Sequence, residues 1–98
     1  MVRKKQKPDR QAFKKIAEIL ALIHEPDEMC AFLDELLTPA EVHDIALRWK
    51  LLHLLADGVS QRKIAEDLKI SLCKITRGSK ILKQQGAVTT RLLQNRKR

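Results

Sequence analysis

The chain has 98 residues, 44% of them hydrophobic and 33% charged, with a formal net charge of +8 at pH 7. That length allows one small domain, the apolar share is too high for a disordered chain, and no run approaches the roughly 18 apolar residues needed to span a bilayer. The charged N-terminus has no apolar core behind it, so no signal peptide is expected and the chain should stay in the cytoplasm. Cys30 and Cys73 form no C-x-x-C, and His24, His43 and His53 lack zinc-ligand spacing, so two reduced thiols and no metal are expected.

The charge is unevenly spread. Residues 1–15 carry +6, residues 16–57 carry −7, residues 58–83 carry +5 and residues 84–98 carry +4. An acidic middle is repelled by phosphate, whereas the three basic segments suit the face of a nucleic acid.

Residues 1–10 are charged and lack apolar periodicity, which predicts a mobile basic arm suited either to phosphate contacts or to solubility alone. The remainder, residues 11–98, reads as one domain, with residues 11–57 as dimerisation helices. Phe13, Ile16, Leu20 and Ile23 lie on one helical stripe, predicting a helix from about Asp9 to His24. Glu25-Pro26-Asp27-Glu28 ends that helix and starts another, because Pro suits a first turn and acids suit the positive helix end. Met29, Phe32, Leu33, Leu36 and Leu37 mark its apolar stripe.

Thr38, Pro39 and Glu41 have the spacing of a capping box, so a third helix is predicted from Pro39 to about Ala56, stopped by Asp57-Gly58. Val42, Ile45, Trp49 and Leu52 lie on one face of it, and Leu47, Leu51, Leu54 and Leu55 cover much of the rest. A helix apolar nearly all round is expected to be buried nearly all round, which a homodimer of interlocked helices would achieve.

The organising stretch is Ser60 to Lys83. Ile64 and Leu68 share one helical face, and Leu72, Ile75 and Leu82 another. Ser60 and Ser71 are placed to cap two short helices, and Leu68-Lys69-Ile70-Ser71 leaves room only for a sharp corner. Ala65 is small enough for the second helix to cross closely over the first. This is the pattern of a helix-turn-helix, whose second helix enters the DNA major groove. Seven cations against Glu66 and Asp67 support that reading. A solvated basic face on an ordinary helical hairpin is the bland alternative. Gln84-Gln85-Gly86 ends the second helix, and a short final helix at residues 87–95 offers Val88, Leu92 and Leu93 as apolar contacts. Six helices are predicted in all.

L-T-P-A-E (residues 37–41), Arg48, S-Q-R (60–62), I-T-R-G-S (75–79) and L-K (82–83) resemble the tryptophan operon repressor family over roughly residues 13–94. The resemblance implies an all-α, six-helix intertwined homodimer with a helix-turn-helix DNA-binding head, and L-tryptophan as corepressor. It implies that Arg48 and Arg77 sandwich the indole ring, that one of them with Thr38 holds the carboxylate, and that Gly78 leaves room for the ligand. Backbone carbonyls near Glu35 and Leu37 would then receive the ammonium group. Two positions depart from the family pattern: Lys74 replaces a small hydroxyl residue and Ile81 replaces a polar one. They suit tryptophan, another small molecule, or none.

For palindromic operator DNA, the resemblance places Arg62 at a guanine and Leu72, Cys73 and Thr76 near base edges, with Lys74 beside them. Gln61 and Lys83 would lie near phosphates. Ala65 stands where the family has a lysine, so one phosphate contact is expected to be absent. The alternatives to a ligand-activated repressor are a constitutive DNA-binding protein and an adaptor for an acidic protein. An enzyme is not expected, since no nucleophile–base pair or phosphate loop appears.

Overall fold

A computed structural model describes residues 7–95, so the first part of the predicted basic arm and the last three residues lie outside the described residues. The described residues form six α-helices and no strand: α1 Arg10–Leu20, α2 Pro26–Leu36, α3 Pro39–Ala56, α4 Gln61–Leu68, α5 Leu72–Lys83 and α6 Val88–Asn95. They divide into two compact units that meet between Pro39 and Ala40. None of these helices is long and apolar enough to cross a membrane.

In the first unit, the Asp9 carboxylate accepts from the Ala12 N–H at 3.1 Å and starts α1. The helix ends at Leu20, four residues before the predicted His24. There the Leu22 N–H donates to the Ile19 carbonyl and the Ile23 N–H to the Leu20 carbonyl, a tightening to three-residue spacing that closes the helix. Pro26 opens α2, with Asp27 and Glu28 in its first turn, as the sequence predicts. No residue of α1 or α2 is buried, and Phe13 is 55% exposed.

The second unit holds the core. α3 ends at a Schellman motif: the Gly58 N–H donates to the Leu55 carbonyl and the Val59 N–H to the Leu54 carbonyl, with Gly58 at φ +85°. Only a residue without a Cβ enters that conformation cheaply. Ser60 follows at once as N-cap of α4, its hydroxyl accepting from the Lys63 N–H at 3.2 Å. Lys69 then turns the chain in the left-handed region at φ 54°, the one non-glycine among the described residues to do so. The Ser71 hydroxyl accepts from the Lys74 N–H at 3.4 Å and opens α5.

Ile64 of α4 and Ile75 of α5 are fully buried and form the core with Leu51 of α3. Leu54, Leu55, Val59, Ala65, Leu68 and Ile70 pack around them. Burying an isoleucine completely contributes about 1.5–3 kcal/mol, so this small cluster accounts for much of the unit's stability. Two apolar expectations need correction. Leu72 is exposed rather than part of the face it shares in sequence with Ile75, because the first turn of α5 projects beyond the core. On α6 only Leu93 is buried; Val88 and Leu92, four apart, share a face that points elsewhere.

α3 also departs from expectation within a single chain. Leu51 is its one buried residue, while Ile45 is 50% and Trp49 42% exposed. The leucine stripe meets the core, and the Val42–Ile45–Trp49 stripe lies round the helix from it, out of its reach.

Candidate functional site

α3 and α5 approach closely at Gly78. A Cβ built there would lie 3.3 Å from a Leu55 methyl and 3.4 Å from methyls of Leu51 and Leu52. The glycine therefore sets how near the two helices come, which adds a packing role to the ligand room expected of it. Beside this contact a cleft of about 120 Å³ opens between the helices. An engineered cavity of about 150 Å³ holds benzene, so the space suits roughly one ring with the remainder of a ligand at the mouth.

The cleft has an apolar floor and a charged rim. α3 contributes Asp44, Leu47, Arg48, Leu51 and Leu52, which recur at helical spacing and so share one side of the helix. α5 contributes Lys74, Arg77, Gly78 and Ile81 in the same way, and Ile70 closes the end at the turn. Five of the expected ligand residues thus come together: Arg48, Lys74, Arg77, Gly78 and Ile81. Glu35, Leu37 and Thr38 belong to the first unit, whereas every residue lining this cleft is in the second. Sequence reasoning missed Asp44. Its signal was its place one turn before Arg48, hidden by the leucines that dominate α3.

Among the described residues, neither guanidinium of the cleft nor Lys74 forms an ion pair. A guanidinium free of a carboxylate keeps its flat face and its fork of donors for a ligand, stacking on a ring or binding an acid group.

The expected nucleic-acid residues line the exposed side of α4 and α5. Gln61, Arg62, Leu72, Cys73, Lys74, Thr76 and Lys83 are all exposed. Gln61 and Arg62 occupy the first turn of α4, and Leu72, Cys73 and Lys74 the first turn of α5. The Thr76 hydroxyl donates to the Leu72 carbonyl at 2.9 Å, which leaves its oxygen to act outward as an acceptor. Lys63 pairs with Asp67 at 3.3 Å across one exposed turn of α4, a contact worth a few tenths of a kcal/mol. Cys30 and Cys73 are free and exposed, and no metal-binding group of His, Cys, Asp or Glu occurs among the described residues.

Comparison with known proteins gives a consistent picture. The model of a family described as Trp repressor protein matches residues 11–97. A Trp operon repressor homolog from Xylella fastidiosa is 37% identical over 70 residues, covering 70% of this chain and 76% of the relative. A Trp operon repressor homolog from Photobacterium profundum is 42% identical over 66 residues, covering 66% of this chain and 62% of the relative. No solved structure gives a significant match.

Proposed function

Because the chain belongs to the Trp repressor family, we propose that it is a cytoplasmic, dimeric transcriptional repressor whose binding to a palindromic operator is activated by L-tryptophan. The observation that carries the ligand part is the cleft between α3 and α5, with Arg48 on one helix, Arg77 on the other and an apolar floor between them. An indole ring stacks between the two guanidinium planes, and the carboxylate takes donors from an arginine, with the Thr38 hydroxyl beside it. The DNA part rests on α4 and α5 as a helix-turn-helix, with their exposed first turns facing the major groove. Arg62 reads a guanine through O6 and N7, worth about 1–3 kcal/mol of discrimination. Gln61 and Lys83 hold phosphates, and Leu72, Cys73, Lys74 and Thr76 meet base edges.

The switch follows from shared structure. Arg77 and Lys74 line the cleft and belong to the helix that would enter the groove. A ligand between α3 and α5 favours one position of α5, and in a dimer that position sets whether the two heads match successive grooves about 34 Å apart. Coupling is reciprocal: whatever the ligand adds to operator affinity, the operator adds to ligand affinity.

A second reading is favoured by Lys74 and Ile81, which both line the cleft in place of the family's polar residues. In that reading the protein binds DNA without a ligand, or answers to another small molecule. Calorimetric titration of the purified protein with L-tryptophan separates the two. One saturable site per chain, lost with operator response in Arg77→Ala, is expected; full ligand response in that variant removes the pocket assignment. No heat at all moves the protein to the second reading. Arg62→Ala should lower operator preference at unchanged ligand affinity, and unchanged preference refutes its base-reading role.

A further inference from the structure

We propose that Asp44 holds the ammonium group of the bound ligand, so that the cleft selects an α-amino acid over the same ring carrying a carboxylate alone. The inference rests on the ligand reading above and deepens it. Resemblance to the family left the ammonium to backbone carbonyls near Glu35 and Leu37; Asp44 is a side-chain acceptor within the cleft's own unit.

Three observations support it. Asp44 lines the same cleft as Arg48, Lys74 and Arg77, so one acid faces three cations across the same space. Among the described residues, Asp44 forms no ion pair with any of them, although it precedes Arg48 by four positions in the order that favours pairing on a helix. A carboxylate and a guanidinium thus stand one turn apart with the gap between them open. β-Carbons at that spacing lie about 5–6 Å apart, close enough for the two ends of one zwitterion to reach both.

The electrostatics point the same way. A cleft with three cations repels an ammonium group and attracts any carboxylate. An acid on its rim reverses that preference locally: the ammonium finds a charge-assisted hydrogen bond at Asp44, and the carboxylate keeps the cations. The ring lies on the leucine floor. A ligand lacking the amine leaves Asp44 facing an anion, with repulsion where attraction was available.

Calorimetric titration of the full chain with L-tryptophan and with indole-3-propionate, which keeps the ring and carboxylate but lacks the amine, tests the proposal. Wild-type protein should bind tryptophan about tenfold or more tightly than indole-3-propionate, as one charge-assisted hydrogen bond implies. Asp44→Asn should weaken tryptophan by a similar factor and tighten indole-3-propionate, reversing the order, while Asp44→Glu keeps it. Circular dichroism and melting of each variant report that the fold is unchanged. Equal or tighter binding of indole-3-propionate by the wild type overturns the role of Asp44 and leaves the ligand site standing. Binding of neither compound removes the tryptophan reading and the proposal together.

Discussion

α1 and α5 are both well-capped amphipathic helices, yet they differ completely in what they bury. Asp9 starts α1 and Ser71 starts α5 by the same device, a side-chain oxygen accepting from the backbone N–H three residues on. α5 buries Ile75 and Gly78; α1 buries nothing, and leaves Phe13, Ile19 and, just beyond its end, Leu22 in solvent. Caps and periodicity decide that a helix forms and which face is apolar. They do not supply the surface that covers it. In α5 that surface comes from α3 and α4 nearby in the chain. The exposed apolar stripes of α1 and α3 support the proposal that a second copy provides theirs.

The largest break in this comparison is Ile75→Ala, which should destabilise the second unit by about 2–5 kcal/mol in denaturant unfolding. Ile19→Ala on α1 is its counterpart. In an isolated chain it should change stability by less than about 0.5 kcal/mol, and a loss that grows on dilution would mark α1 as part of an interface. Gly78→Ala is intermediate. Overpacking against Leu51, Leu52 and Leu55 costs about 1–3 kcal/mol, and relief of glycine's helix penalty returns about 1, for a net loss of about 1 kcal/mol in melting experiments. Lys69→Gly is the smallest and has the opposite sign. A left-handed lysine is strained, so glycine should raise stability by about 0.5–1 kcal/mol, net of the freedom it adds to the unfolded chain.

What was legible follows the same line. Ser60, Ser71 and Gly58 announce helix ends because caps act through hydrogen bonds within a few residues. The end of α1 was overrun because Ile23 continues the apolar stripe while the backbone has already tightened. Leu72 and Val88 were misplaced because periodicity assigns a face without saying how far the covering helix extends. In the cleft, Arg48, Arg77 and Gly78 were legible through the family motif. Asp44 was not, since its neighbours on α5 are remote in sequence and only the approach of the two helices brings them together.

The core of the second unit has a kinetic consequence. Leu51, Ile64 and Ile75 fall within one continuous run of chain, joined by turns that the Schellman motif and the two serine caps define. Contacts so local in sequence need little loop closure, and helical units of this kind fold in microseconds to milliseconds. The α3–α5 framework should therefore be complete before any two chains meet, and a slower, concentration-dependent phase in refolding would report association alone.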